Sequence, residues 1–367
     1  MIRVLSPVNG LHEIGPLIEA GAGEVYCGVM PAEWRKSYSN VASPNRREWS
    51  TANLTSFDEV AQIVATAHAH AVPVFLTMNA LYTAGQYGQV QKLVDEAVRS
   101  GVDAVIVADL GLLLRLREMG WQKAIHVSTG GTTFNDETVA FYRDLGAARV
   151  ILPRQNRVTE IAALAAHNRD IELETFVMNA GCMNIDGFCT HHHGTKELRM
   201  PLWWNLPKKL HCDHYLLTLM RRLPARLRTA LSRSAAGSSD SACFLGYDLD
   251  IRSDAAGPAE RQNLQANLRR NFTMFTGADT CGACALWHFE KAGIVSVKIV
   301  GRNNPLSKKL ADVRFLSGCL RHLRERNPSQ EDFVALAQRL YRETFGFACH
   351  EWCYFPAADL PVGADVL

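Results

Sequence analysis

From the N-terminus to about Arg302, short apolar runs alternate with amphipathic stretches, a rhythm that predicts repeated βα units. The runs Arg3–Pro7, Glu24–Gly28, Val74–Asn79, Ala104–Ala108, Ala124–Ser128, Arg149–Pro153, Glu172–Met178 and Ser296–Val300 have the length and apolar content of buried strands. Between them, Leu11–Ala20, Phe57–Ala69, Tyr87–Ser100, Leu110–Met119, Asp136–Leu145 and Val158–His167 carry helical periodicity. Strands joined through helices call for right-handed crossovers and a parallel sheet. Eight such strands are what a closed, TIM-like (β/α)8 barrel requires. The rival is an open doubly wound sheet, but Ser6-Pro-Val-Asn-Gly10 lacks the glycine-rich phosphate fingerprint expected after its first strand.

The rhythm breaks at about 190–280, which is expected to be an insertion carried by the loop after strand seven. The barrel with this insertion is assigned to residues 1–305. Residues 306–367 form an extension with two amphipathic helices, Lys308–Arg326 and Glu331–Phe345. About 60 residues make a marginal core, so the extension is expected to pack on the barrel.

Composition narrows the picture little. The chain has 367 residues, 47% apolar and 21% charged, with a formal net charge of +2, so no global basic field argues for nucleic acid. The N-terminus lacks a signal-peptide pattern, and no apolar run reaches the roughly 18 residues of a membrane span. A cytoplasmic protein is the expectation, and there ten cysteines argue for thiols and metal ligation over disulfides.

The thiols sharpen this. Cys182 and Cys189 follow the strand Glu172–Met178, at the end where a parallel barrel keeps its chemistry, and Cys243 and Cys281 come later. Thiolate softness fits iron–sulfur and zinc about equally. Cys281-Gly-Ala-Cys284 also has a zinc-knuckle spacing and, with Cys349 and Cys353, offers a separate four-thiolate zinc site.

Glu174-Thr-Phe-Val-Met-Asn-Ala-Gly-Cys182, followed by six residues and Cys189, resembles the signature of the U32 (collagenase-like) peptidases. Ser6–Gly10, Gly21–Gly28, Gly101–Asp109, His126-Val-Ser-Thr129, Val150–Arg154 and Gly293–Arg302 agree with that family in order, over roughly residues 1–305. The resemblance implies a (β/α)8-like barrel holding a [4Fe–4S] cluster on Cys182, Cys189, Cys243 and Cys281. For the characterised branch it implies oxygen-independent hydroxylation with a small carboxylate, prephenate, as oxygen donor. The acceptor is then a quinone precursor, an RNA base or another metabolite. It also implies a possible heterodimer with a related barrel protein.

Some positions depart from the family pattern. Met178-Asn-Ala-Gly stands where a His-Gly pair is usual, Gly130 where Gln often follows Ser-Thr, Gln155 in place of a Glu, and Val300 in place of the Glu of Lys-Ile-Glu-Gly-Arg. Loss of that acid leaves Lys298 and Arg302 less neutralised, which favours an anionic ligand.

Arg154 and Arg302, past the ends of strands six and eight, are expected at the barrel mouth, where a guanidinium clamps a carboxylate; the plain alternative is an arginine tying loops together. Lys298 is expected to point into the barrel with a catalytic role or a charged partner. His126 is read equally as a proton donor or a core histidine. Asn79 and Glu174 are placed on strand ends as substrate-orienting groups. His191–His193, Cys212, Trp203, Trp204 and the basic stretch Arg221–Arg228 are read as features of the insertion, with RNA contact open but not favoured.

A metal-dependent or cysteine peptidase is the competing function, although no H-E-x-x-H or G-x-S-x-G motif occurs. A cluster-bearing, non-catalytic partner subunit is the third reading.

Overall fold

A computed structural model of the chain describes residues 1–38, 43–47, 52–179, 186–187, 280–346, 353–355 and 360. Cys182, Cys189, Cys212, Cys243, Cys349, the three consecutive histidines, the tryptophan pair and the basic stretch lie outside these residues, as does nearly all of the expected insertion.

Eight parallel strands close into one barrel in sequence order. They are β1 (Arg3–Pro7), β2 (Glu24–Cys27), β3 (Val74–Met78), β4 (Ala104–Val107), β5 (Ala124–Val127), β6 (Arg149–Ile151), β7 (Glu172–Met178) and β8 (Ser296–Ile299). Closure is made by β8 against β1, with Arg3 opposite Ser296 and Leu5 opposite Lys298. The crossover helices are α1 (Leu11–Glu19), α3 (Phe57–His68), α4 (Tyr87–Ser100), α5 (Leu110–Glu118), α6 (Asp136–Asp144) and α7 (Val158–His167). A short α2 (Ala32–Ser37) follows β2, and α8 (Leu286–Ala292) precedes β8; the apolar pattern gave no sign of either. Helix starts are fixed by short polar side chains: Asp109 accepts from Leu112 N at 2.8 Å and Asn135 from Thr138 N at 3.0 Å.

Six of the eight expected strands overran the observed C-terminal ends by one or two residues. Gly28, Asn79, Ala108, Ser128, Pro153 and Val300 belong to the loops. The cause is burial: Ala108, Ser128 and Val300 remain at most 9% exposed after their strands have ended, so the apolar signal runs on into the mouth.

After β8, α9 (Leu306–Arg326) packs on α1, β1 and α8, and α10 (Gln330–Phe345) packs on α9. Lys309 Nζ at the start of α9 donates to both carboxylate oxygens of Glu13 in α1, at 2.9 and 2.8 Å, and both residues are buried. The main core lies between barrel and helices. A second, smaller cluster fills the barrel itself: Leu5, Tyr26, Phe75, Ala104, Ile106, Ile151, Phe176 and Val300.

Candidate active site at the barrel mouth

The lower end of the barrel, where the strands begin, is closed by charge. Arg149, the first residue of β6, donates from Nε to Glu172 at 2.8 Å, from Nη1 to Glu24 at 2.9 Å and Glu174 at 3.0 Å, and from Nη2 to Glu24 at 2.8 Å and Glu172 at 2.6 Å. Arg3 Nε reaches Glu24 at 3.0 Å, Ser296 donates to Glu24 at 2.7 Å and Lys298 Nζ to Glu174 at 3.0 Å. Three cations therefore meet three carboxylates. Burial opposes the charge of Arg149, but its three glutamates outweigh it and leave the pKa raised.

Two expected site residues fall in this network. Lys298 points into the barrel, as anticipated, with its ammonium 4.3 Å from the centre of the Tyr26 ring. Burial lowers its pKa, with Glu174 pulling the other way. Glu174 was placed at a strand end, whereas it is the third of seven residues in β7, fully buried and bonded to Arg149 and Lys298. The expected and observed bounds of β7 coincide, so it was the placing of Glu174 at a strand end, not the strand itself, that was wrong.

His126 lies inside the barrel, 3% exposed, edge-on to Phe75 at 4.5 Å between ring centres. Its Nδ1 is buried without a hydrogen-bond partner among the described residues. Burial, then Arg149, Lys298 and Arg3, hold its pKa well below the usual histidine value. The ring is thus neutral near pH 7, and an imidazolium proton donor is not its resting form.

The upper end is built differently. Arg302, three residues beyond β8 and 6% exposed, donates from Nη1 to Thr77 Oγ1 at 3.0 Å and from Nη2 to the Asn45 carbonyl at 3.2 Å and Oδ1 at 3.0 Å. No carboxylate pairs with it among the described residues, and burial lowers its pKa to about 10. Gly28 makes the space: a Cβ there would lie 1.6 Å from Arg302 Nη1. Thr77 is fixed in turn by the Cys27 carbonyl at 2.8 Å, and Asn45 by Val29 O at 3.1 Å and Asn53 Oδ1 at 2.7 Å. Tyr26 donates to Ile299 O at 3.0 Å, and burial pushes its pKa up to about 12, so the phenol keeps its proton.

Arg154 also reaches the mouth, but it is engaged. Its Nη1 donates to Asp186 Oδ1 at 2.6 Å, its backbone N–H to Oδ2 at 3.0 Å, and its guanidinium lies 4.1 Å from the centre of the Phe176 ring. The loop-tying alternative describes these contacts. Gln155, standing where the family has Glu, accepts from Asp186 N at 3.2 Å. Asn79 caps β3 and donates to Ser128 Oγ at 3.1 Å, leaving its buried Oδ1 without a partner among the described residues.

At the exit of β7 the register against β8 shifts between Phe176 and Met178, a bulge that re-aims the chain. Asn179 follows with φ +64°, in the left-handed region. Lys308 donates to its Oδ1 at 2.9 Å, and its Nδ2 donates to Asp312 at 2.7 Å and Val300 O at 3.2 Å. Three residues later the sequence reaches Cys182.

Cys281, 7% exposed, forms an antiparallel bridge with Met178, which puts it at this same exit. Ala283 N–H donates to its Sγ at 3.5 Å, a contact that favours a thiolate. A soft-metal ligand fits this position. No group of three or more metal-ligating side chains gathers among the described residues. Cys27 and Cys319 are core thiols, and burial pushes Cys27 up to about 12.

Thr77, Asn45, Tyr26, Arg149 and Asp186 were not anticipated. Only Asp186 carried a usable signal, lying between the two signature cysteines. No helix among the described residues is long and apolar enough to cross a membrane.

Comparisons with known proteins bear on the same region. The matched chain segment shares 32% identity over 193 residues with an uncharacterized protease of Methanocaldococcus jannaschii, covering 52% of this chain and 43% of that one. It shares 31% over 188 residues with tRNA hydroxylation protein P of Haemophilus influenzae, covering 51% and 38%. It shares 26% over 193 residues with the 23S rRNA 5-hydroxycytidine C2501 synthase of Escherichia coli, covering 52% and 26%. The match thus spans less than half the length of these relatives. A solved U32 peptidase structure covers 48% of this chain and 69% of its own at 18% identity, with a TM-score of 0.38. The model of peptidase family U32 matches residues 9–199, just over half of the sequence and including β2 to β7, and the chain belongs to that family.

Proposed function

We propose that this chain is an iron–sulfur hydroxylase of the U32 family that takes oxygen from a small carboxylate donor such as prephenate and anchors that carboxylate at Arg302. Arg302 carries the reading. It is a buried guanidinium at the catalytic end of a barrel, held flat by neutral acceptors and lacking a carboxylate among the described residues. An incoming carboxylate would supply the missing charge through paired N–H donors. The names of two relatives, a tRNA hydroxylation protein and an rRNA hydroxycytidine synthase, support the reaction class and favour an RNA base as acceptor over a quinone precursor.

Cys182, Cys189, Cys243 and Cys281 would hold the [4Fe–4S] cluster, which when bound supplies Lewis acidity or an electron relay. Thr77 and Asn45 orient Arg302, and Arg302 orients the donor. Tyr26, protonated and tied to Ile299 O, walls the site without giving up its proton. The neutral His126 offers Nδ1 as a proton acceptor, and burial, aided by Arg149 and then Lys298, keeps that ring uncharged. A cysteine peptidase would need a reactive thiol, and the burial that raises the pKa of Cys27 and Cys319 makes both poor nucleophiles.

The test is iron and acid-labile sulfide per chain in protein purified without oxygen, followed by calorimetric titration with prephenate. About four of each per chain, with binding that is lost in Arg302→Gln, is the expected result. Zinc without sulfide, or equal affinity in the variant, would overturn it.

A further inference from the structure

Positive charge is concentrated in the two C-terminal helices. Between Leu306 and Gly346, eight lysines and arginines stand against five aspartates and glutamates, a surplus of three in a chain whose formal charge is +2. Lys308 pairs with Asp312, Lys309 with Glu13 and Arg324 with Glu290. Arg314, Arg321, Arg326 and Arg342 have no ion pair among the described residues, and Arg339 reaches Glu343 only at 4.0 Å. Arg314, Gly318, Arg321 and Glu325 recur at helical spacing and share one face of α9. On that face a cleft of about 240 Å³ opens between α9 and α10.

The cleft is lined by Arg321 and His322 from one helix and Arg339 from the other, with Leu336 and Leu340 beside them and Glu325 as the one carboxylate. A Cβ added at Gly318 would meet nothing within 4 Å, so the wall is open at that point. Arg314 lies two turns nearer the start of α9, about 10 Å along the helix axis from Arg321. That start is at the barrel mouth, where Lys308 donates to Asn179. The cations are thus strung along the outer wall below the mouth rather than gathered at one point. A small anion would neutralise one of them, whereas a chain of phosphates engages several and sheds its own condensed counterions.

We propose that the outer face of α9 and α10 docks the phosphate backbone of a single-stranded RNA, with Arg321 and Arg339 holding one phosphate across the cleft and Arg314 another nearer the mouth. The inference rests on the RNA acceptor of the proposed function and adds the surface that such an acceptor needs. Arg302 is 6% exposed and lies too deep for a backbone, while Arg314, Arg321 and Arg339 are exposed and present paired N–H donors suited to phosphate. One row of cations follows one strand rather than the two of a duplex. Leu340, partly buried, gives a base or ribose an apolar contact beside the charges.

The test titrates the full chain, purified without oxygen, into a fluorescein-labelled single-stranded RNA oligonucleotide and follows anisotropy over a series of salt concentrations. Combined Arg314→Gln, Arg321→Gln and Arg339→Gln should weaken binding at least tenfold and flatten the slope of log affinity against log salt by about two, the share of three phosphate contacts on a single strand. The unfolding midpoint should not move, since all three side chains are exposed. Lys92→Gln, on α4, removes an exposed cation elsewhere on the barrel and should leave the slope unchanged. RNA binding with the same slope in the triple variant would overturn this inference and leave the proposed function standing. No RNA binding by the unaltered chain would overturn both this inference and the RNA acceptor. Equal displacement of the RNA by polyglutamate at the same charge concentration would also overturn it, by showing a surface for acidic protein.

Discussion

The two ends of this barrel hold cations in opposite ways. At the lower end Arg3, Arg149 and Lys298 are matched by Glu24, Glu172 and Glu174, with Arg149 alone donating five hydrogen bonds to carboxylates. At the upper end Arg302 is buried as Arg149 and Lys298 are, yet only neutral oxygens face it among the described residues. A balanced network holds the strands together and has nothing left for a ligand. An unbalanced cation is an unfavourable arrangement in the empty protein that a bound anion relieves. The same residue type is therefore structural at one end and available for binding at the other.

Arg149→Ala should give the largest effect. It strands three glutamates around an emptied guanidinium site and should cost about 3–5 kcal/mol, read from denaturant unfolding; a loss under 1 kcal/mol would mean that the lower network is not what closes the barrel. Arg302→Gln should leave stability nearly unchanged while weakening dicarboxylate binding at least tenfold, about 1.4 kcal/mol, by calorimetry. A stability loss as large as that of Arg149→Ala would erase the distinction between the ends. Val300→Glu sharpens it: an acid two positions before Arg302 should pair with that guanidinium, raise its pKa and lower anion affinity, with unaltered affinity counting against Arg302 as the anchor.

The smallest effect concerns pH. His126 has a folded pKa depressed below 6.5, so the unfolded chain takes up its proton first as pH falls. Stability should then decline below about pH 6.5 by up to about 1.4 kcal/mol per pH unit from this group. His126→Gln should narrow the difference in unfolding midpoint between pH 7 and pH 5. An unchanged gap would show that burial and the three cations around the ring do not hold it neutral.

The barrel was legible because eight apolar runs of strand length recur with helical stretches between them, and fold class follows from that count. The positions of Lys298 and Arg302 were legible too, one inward and one at the mouth. Partners were not. Arg149 opens β6 and Arg154 follows its end, so the sequence separates their positions but not their partners: one lies in the lower network and the other is held by Asp186. Charge pairing across a barrel joins residues more than a hundred positions apart, such as Glu24 and Arg149, and periodicity carries no information at that range. Helix α2 was missed because six residues are too few to show a period.

Gly28 leaves a further consequence. The chain holds a charged group in its interior because one methyl is absent, and Gly28→Ala would drive a carbon into the space of Arg302 Nη1. Since the guanidinium is pinned by Thr77 and Asn45, it cannot simply swing aside. If Arg302 anchors the proposed carboxylate, that anchorage depends on a volume at β2's exit as much as on a charge after β8. Relatives that keep that position empty are those in which the same buried guanidinium can be accommodated.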